Sequence, residues 1–104
     1  SGDMTAVPSP FSSDPARFRS GTVITWRLPF LQAIARVTVL TPDGRHVRDL
    51  ADGLFIGSVG GVAWDGKDAV GQRVPRGPYV VVLECVNASS HATYRDRCLV
   101  VVGE

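Results

Sequence analysis

The carboxylates that are able to bind a metal lie in glycine-containing segments. Asp43 falls in one such segment, and Asp65 and Asp68 fall in another. Loop oxygens of this kind are the ligands that calcium prefers, although the spacing Asp65-Gly66-Lys67-Asp68 does not match an EF-hand loop. The alternative is that each carboxylate accepts hydrogen bonds from its own turn. We favour the turns, so no metal and no cofactor is predicted.

Signatures of catalysis are missing from the sequence. It contains no GxGxxG, P-loop, HExxH or CxxC motif. Gly57–Gly61 misses the nucleophile-elbow spacing because Ser58 follows its glycine directly. His46 and His91 fall in a predicted strand and a predicted loop without ligand spacing around them. We therefore predict that the chain is not an enzyme and has no catalytic residue.

A third possible chemistry is carbohydrate binding, in which sugar rings stack on exposed aromatic side chains. Val23, Trp26 and Trp64 would form the platform. However, Trp26 alternates with Ile24 and Leu28, which is typical of residues on the buried face of a strand. We therefore assign both tryptophans to the core and rank carbohydrate binding low.

Composition limits the partners. The chain has 104 residues, of which 44% are hydrophobic and 20% charged, and a formal net charge of +1. This is ordinary for one globular domain. The small charge argues against a nucleic-acid backbone or an anionic membrane surface as partner. The longest apolar runs, Tyr79–Leu83 and Leu99–Val102, are strand-sized, so no membrane insertion is predicted. No leader-like segment opens the chain, so we expect any export signal to lie outside it.

Residues 1–10 are polar, contain prolines and lack periodicity, so we interpret them as a linker or an expression remnant, with the domain spanning residues 11–104. Beyond them the hydrophobic period is two. Thr22–Pro29 and Ala35–Leu40 alternate as strands with one buried face. The predicted order then continues with a turn at Thr41–Arg45, a return strand His46–Leu50, a short strand Val62–Trp64 and two strands at Tyr79–Val86 and Tyr94–Val102. The fold class predicted is all-β, a sandwich or barrel.

Two cysteines fall in the last two predicted strands. Alternation places Cys85 and Cys98 on the inward face of each strand. If the strands pair around a turn near Ser90, the two cysteines lie close to opposite each other and a disulfide is feasible. The alternative is a pair of buried free thiols. Both remain open, with a slight preference for the disulfide.

A dense group of turn residues runs from Trp64 to Tyr79, with the sequence WDGKDAVGQRVPRGPY. Trp64 and Tyr79 are placed to anchor strand ends in the core, and three turns lie between them. The residues that define this pattern are Trp64, Asp65, Gly66, Asp68, Gly71, Val74, Gly77 and Tyr79.

This string resembles the WDG signature of the bacterial FlgD-like immunoglobulin-like domain. The hairpin Val37–Leu50, the strand Thr22–Pro29 and the segment Pro8–Phe11 are similar to flanking elements of the same family. The resemblance covers residues 8–102 and implies a sandwich of about seven antiparallel strands, related to immunoglobulin and fibronectin III folds. Arg17–Gly21 is longer than the corresponding family loop, and Gly103-Glu104 stands where a basic residue is usual.

The family resemblance implies a non-catalytic role. The closing strand and the P-x-P-F start look most like the C-terminal sorting domain of type IX secretion cargo, which implies a secreted or cell-surface bacterial protein. Its expected partners are outer-membrane secretion or attachment machinery, or neighbouring domains. The alternative is a structural spacer or assembly module, as in a flagellar hook cap or beside a catalytic domain.

Recognition by such a partner would use a surface rather than a single residue. We expect it on the last strand and the cationic loop, with a merely solvated charged face as the alternative. The residues are Arg95, Arg97, Leu99, Val100 and Val101 on the strand, and Lys67, Arg73 and Arg76 in the loop.

Overall fold

The computed structural model describes residues 4–14 and 21–103. These residues form an all-β protein with one antiparallel sheet. Its strands are β1 (Met4–Val7), β2 (Thr22–Leu40), β3 (His46–Trp64), β4 (Gly77–Asn87) and β5 (Thr93–Val102). The suggested remnant Ser1-Gly2, most of Arg17–Gly21 and the terminal Glu104 lie outside the described residues.

The sheet curls because its two longest strands, β2 and β3, both run through two parts of the sheet. The first part of β2 pairs with β1 and with the end of β3, and we call these strands the small half. The second part of β2 pairs with the start of β3 and with β4, to which β5 is added, and we call these the large half. The inner faces of both halves contribute to one hydrophobic core.

A bulge in β2 produces the bend. Arg27 pairs with Val59, but the next pair is Gln32 with Gly57, so the residues between them leave the regular register. Bulges of this kind bend and twist a strand. Pro29 lies in this interval, where the strand lacks a regular partner on β3 and a missing N–H removes no bond from that ladder. The two strands predicted at Thr22–Pro29 and Ala35–Leu40 are therefore one.

β3 is also one continuous strand, and its glycines allow it to pack closely against β2. The prediction of two short strands in this region was wrong. A Cβ on Gly60 would lie 3.1 Å from the Trp26 indole, and one on Gly61 would lie 2.9 Å from the Ile24 carbonyl oxygen. The missing side chains let the indole lie directly on the neighbouring strand. Because β2 and β3 run through both halves, the structure has five strands among the described residues, where the sequence predicted about seven.

The predicted alternation is confirmed in the core. Ile24, Trp26 and Leu28 are buried from β2, and so are Ala35, Val37 and Val39 after the bend. The predicted hairpin turn is also present, because Gly44 N donates to Thr41 O at 2.9 Å and Thr41 N donates to Arg45 O at 2.8 Å.

Residues 4–10 belong to the fold, so the prediction of a linker was wrong for them; residues 1–3 lie outside the described residues. Met4 is 5% exposed and pairs with Trp26, and the rest of β1 continues this register to Val7. Thr22 then donates its hydroxyl to the Pro8 carbonyl oxygen at 2.8 Å. The segment shows no clear hydrophobic period because the strand is only four residues long.

Candidate functional site

The loop Trp64–Tyr79, which we call the WDG loop, is built around one buried ring. Trp64 is 1% exposed and donates its Nε1–H to the Lys67 carbonyl oxygen at 2.9 Å. Its ring contacts Phe11 and Tyr79 edge to face, with centroids 5.4 and 5.5 Å away. Such pairs add to the free energy gained by burying the rings. Trp64 therefore anchors the loop to the core, as predicted.

The carboxylates of this loop hold its turns. Asp65 Oδ1 accepts a hydrogen bond from Lys67 N at 3.0 Å. Asp68 Oδ1 accepts from Val70 N at 3.0 Å and from Gln72 N at 2.9 Å. Asp43 lies in the separate hairpin turn and accepts from the Thr41 hydroxyl, a bond that lowers the pKa of its carboxyl. Across residues 4–14 and 21–103, no three His, Cys, Asp or Glu side chains converge as a metal site would require.

The remaining residues of the motif shape the loop backbone. Gly66 has a φ of +80°, and a Cβ there would lie 2.5 Å from the Ser13 Cβ. Its carbonyl oxygen accepts from Val74 N at 3.0 Å. Gly71 N donates to Asp68 O at 3.1 Å, and Gly77 begins β4. The motif residues therefore stabilise the turns of the loop.

Tyr79 closes the loop. Its hydroxyl donates to the Pro75 carbonyl oxygen at 2.7 Å, and its ring is 6% exposed. Burial raises the pKa of this phenol above its usual value. A phenol that is bonded and kept neutral in this way has a structural role.

The WDG loop also fastens the N-terminal segment to the end of β5. Arg73 donates its Nε–H to the Ser13 hydroxyl at 2.9 Å. Phe11 N donates to Val101 O at 3.0 Å, and Gly103 N donates to Phe11 O at 2.8 Å. Val101 N donates to the Ser9 hydroxyl at 3.1 Å. The P-x-P-F segment is therefore held between the loop and the last strand.

The two cysteines are free thiols, so the feasible disulfide is not formed. Cys85 pairs with Tyr94, whereas Cys98 pairs with Val81. Four positions on β4 separate the two sites, which is roughly 13 Å along the strand. A disulfide requires Cα atoms within about 7 Å of each other. Both thiols do lie on the inward face, as predicted, and burial raises the pKa of each.

The predicted recognition residues divide between the two faces of β5. Arg95, Arg97 and Leu99 are exposed, and Leu99 is 61% exposed. Val100 is 0% exposed and belongs to the core, so its assignment to the surface was wrong. Val101 is half-buried against the N-terminal segment.

The cationic loop lies at one end of β5. Lys67, Arg73 and Arg76 lie in the WDG loop, at the end of the sheet where Gly77 pairs with Val102. Arg97 lies five positions before Val102, which is roughly 16 Å along the strand. Arg95 and Arg97 therefore lie away from the end of the sheet that carries the loop, whereas Val101 lies next to that end.

The surface of the large half that points away from the core, which we call the outer face, carries a row of charged residues. Sequence reasoning missed that Arg95 belongs to this row. Asp52, Arg36, Glu84 and Arg95 form one row across β3, β2, β4 and β5, because each is the register partner of the next. Arg36 Nε and Asp52 Oδ1 are 3.3 Å apart. Alternation shows that these side chains point outward, but only the register shows that they are neighbours.

A second row lies beside the first. Asp49, Thr38, Val82 and Arg97 follow the same strand order. The Thr38 hydroxyl donates to Asp49 Oδ1 at 3.0 Å, and His46 Nε2 is 3.1 Å from the same oxygen. The hydrogen bond with His46 is the main reason that the pKa of Asp49 is lowered. Among the described residues, no acidic side chain is paired with the Arg97 guanidinium.

The tryptophans are not arranged for stacking sugars. Trp26 is 3% exposed and Trp64 is 1% exposed, so both belong to the core as predicted. Val23 is 47% exposed on the outer side of the small half. In the part of the chain that the structure describes, no helix has the length and apolar character to cross a membrane.

Comparison with known proteins gives one kind of match. No protein-family model matches the chain, and no curated protein sequence does. Among solved structures, the chain is similar to part of PorZ, an essential bacterial surface component of the type IX secretion system of Porphyromonas gingivalis, with a TM-score of 0.57 and 19% sequence identity. The match covers 97% of this chain and 11% of the PorZ chain. The two proteins therefore share a fold over almost all of the chain.

Proposed function

We propose that the chain is a non-catalytic immunoglobulin-like domain of an exported bacterial protein, acting in secretion sorting or cell-surface attachment. The observation that carries the proposal is the fold similarity, over 97% of the chain, to a surface component of the type IX secretion system. The chain spans about a ninth of that component, consistent with one module of a larger protein. Its partners would be secretion or attachment machinery in the outer membrane.

Two features support the immunoglobulin-like assignment. Tyr79 lies near the start of β4 and bonds the carbonyl oxygen of Pro75, four residues upstream. The same arrangement, a tyrosine corner, is typical of immunoglobulin-like sandwiches. The bulge also divides both β2 and β3 between the halves, so the five strands count as seven segments if each part of β2 and β3 is taken separately. A sandwich of seven segments would then be joined by two bent strands.

Recognition would occur along β5. Val101 directs its N–H and C=O away from β4, towards the N-terminal segment. Backbone groups alternate along an antiparallel strand, so those of Arg95, Arg97 and Leu99 point the same way. The Arg97 N–H already donates to Asp96 Oδ1 at 2.8 Å, so an added strand would have to displace that carboxylate. Among the described residues, no other strand pairs with Thr93–Leu99 on that side. An extended segment of the machinery can add to this edge, with the two arginines beside it.

The alternative is a structural spacer or assembly module. The hydrogen bonds that hold the N-terminal segment between the WDG loop and β5 favour this role, because they stiffen the domain. The WDG loop would then serve only to lock the domain. Export of a fused reporter separates the two roles.

The experiment fuses the chain to the C-terminus of a periplasmic reporter in a bacterium with a working type IX system. Surface accessibility of the reporter is measured by antibody labelling. The test variant is Arg95→Glu/Arg97→Glu, and the matched control is Arg27→Glu/Arg45→Glu, which makes the same change in charge on other exposed residues. We expect the reporter to reach the surface with the unchanged chain and the control, and to remain periplasmic with the test variant.

Point variants are needed because truncation would confuse the result. Val100 and Val102 are 0% and 1% exposed, so removing residues 99–104 would unfold the domain. Protease resistance shows that each variant is folded. A reporter that stays periplasmic with the folded, unchanged chain would refute sorting and leave the spacer role. Export that continues with the test variant would refute recognition through these arginines.

A further inference from the structure

The charged row on the outer face has an antisymmetric pattern. From β3 to β5 it reads Asp52, Arg36, Glu84 and Arg95, so the signs are negative, positive, negative and positive. Inverting the order of the strands inverts every sign. A row with this property is complementary to a second copy of itself.

A two-fold axis parallel to the strands, midway between β2 and β4, makes this complementarity explicit. If two outer faces pack against each other about that axis, β3 lies over β5 of the partner and β2 lies over β4. Asp52 of one copy then meets Arg95 of the other, and Arg36 meets Glu84. A two-fold contact forms each of these pairs twice.

The neighbouring row follows the same rule. Asp49 on β3 and Arg97 on β5 are its charged ends, with the uncharged Thr38 and Val82 between them. The same axis therefore brings Asp49 of one copy over Arg97 of the other. The described side chains within one copy supply Arg97 with no acidic partner, and the second copy provides one.

An apolar row lies on the other side of the charged row. Phe55, Ile34, Val86 and Thr93 are successive register partners. Phe55 is 59% exposed, Ile34 48% and Val86 38%. Contiguous exposed apolar residues of this kind mark interaction sites. The same axis places Ile34 over Val86 of the partner, so these two apolar side chains meet, and it places Phe55 over Thr93.

We infer that the outer face of the large half is a homodimer interface, formed by two copies of this chain about a two-fold axis parallel to its strands. The inference does not rest on the proposed export function. It rests on three adjacent rows that are complementary to themselves under the same axis. The backbone edge of β5 remains open in such a dimer, because the sheets pack face to face. Arg95 and Arg97 contact the second copy in the dimer, so recognition through these two side chains would require the monomer.

The area of the outer face indicates how tightly the dimer should associate. Four strands at about 4.8 Å spacing and four outward rows give a face of roughly 20 by 25 Å. This is at the lower end of the area of specific interfaces. The dimer should therefore form at concentrations on the order of 10–100 μM, well within the range of sedimentation experiments.

The decisive test uses two charge-reversal variants. Each alone should dimerise poorly, and an equimolar mixture of the two should form heterodimers. Arg97→Glu places a carboxylate over Asp49 of the partner, and Asp49→Arg places a guanidinium over Arg97. Each variant should dissociate at least about tenfold more readily than the unchanged chain, because like charges meet twice in its dimer. In an equimolar mixture, opposite charges meet at both positions. Sedimentation velocity should then show heterodimers with an affinity close to that of the unchanged chain.

Arg27→Glu is the matched control, because Arg27 is exposed on the outer side of the small half. It makes the same change in charge and should leave the dimer intact. Circular dichroism confirms that each variant is folded. The inference is overturned if the unchanged chain stays monomeric at about 1 mM, if both single variants dimerise normally, or if the mixture of folded variants fails to associate.

The export function and the dimer can fail independently. The double variant Asp49→Arg/Arg97→Glu restores opposite charges at both positions of the homodimer, yet it removes Arg97. If the double variant is dimeric but is not exported, the dimer interface is supported and Arg97 is needed for recognition by the export machinery. If the unchanged chain is exported although it is monomeric, the dimer interface is refuted and the export function is retained.

Discussion

The WDG loop and the outer face show two ways in which one short chain uses charged residues. In the loop, Asp65 and Asp68 accept hydrogen bonds from backbone N–H groups two to four residues away. On the outer face, Asp52 and Arg36 are sixteen residues apart in sequence and meet only because β2 and β3 pair. The turns of the loop are determined locally, although Asp65 Oδ1 also accepts from Arg48 Nη1 at 2.9 Å. The charged rows of the face are determined by register. Changes in the loop should therefore affect stability, and changes on the face should mainly affect association.

The largest effect is expected for Trp64→Ala. The change removes a ring that is 1% exposed, its contacts with Phe11 and Tyr79, and its hydrogen bond to Lys67 O. Truncation of a buried aromatic residue costs about 3–5 kcal/mol of unfolding free energy. Urea denaturation measures the loss. A loss below about 1 kcal/mol would show that the loop is not anchored by this ring.

A smaller and more selective effect is expected from two glycines of the same loop. Gly66 and Gly71 have φ values of +80° and +86°, so alanine is strained at both. Only at Gly66 does the new Cβ meet another group, the Ser13 Cβ at 2.5 Å; around Gly71 nothing lies within 4 Å. Gly71→Ala should cost about 1–2 kcal/mol, and Gly66→Ala about 1–3 kcal/mol more because of the clash.

Thermal unfolding of both alanine variants checks this difference, with Gly71→Ala as the control for strain alone. Equal losses in the two variants would mean that the N-terminal segment does not pack against Gly66. The closeness of Ser13 to the loop would then make no measurable contribution to stability.

The smallest effect is expected on the outer face, for Asp49→Asn. The hydrogen bond with His46 lowers the pKa of Asp49 below its usual 3.8, so the folded state favours the ionised carboxylate. This stabilisation is present above pH 3.8 and is lost as the pH falls through the lowered pKa. Because the side chain is 40% exposed, the variant should lose only about 0.5 kcal/mol at neutral pH.

At acidic pH the asparagine variant and the unchanged chain should unfold alike. Urea denaturation of dilute monomer at neutral and at acidic pH makes the comparison. A difference that persists after the carboxylate is protonated would assign the effect to the lost side-chain geometry rather than to the charge.

Local patterns predicted most of the β structure. The alternation of Ile24, Trp26 and Leu28 identified the buried face, and the turn residues of the WDG loop identified its hydrogen-bonded carboxylates. The errors arose where a strand depends on a distant partner. Met4–Val7 is a strand because the first part of β2 offers it an edge, and Gly60 lies in a strand because Trp26 fills the space above it.

Register explains the errors at the candidate site. Alternation placed Cys85 and Cys98 on one face, but a cross-strand pair also requires the right offset, and here the offset is four residues. The same limit hid the row that joins Arg95 to Glu84, Arg36 and Asp52. Sequence spacing does not contain the turn geometry that sets this register.

The sequence by itself determined the fold class, the buried faces of the strands and the turns of the WDG loop. Each depends on interactions between residues close together in the chain, where the period of the side chains and the φ of a glycine act directly. Only the tertiary structure decided that the sheet curls through two bent strands, that the thiols stay apart and that charges of opposite sign form rows on the outer face. These features depend on pairings between distant segments, which are set when the core closes.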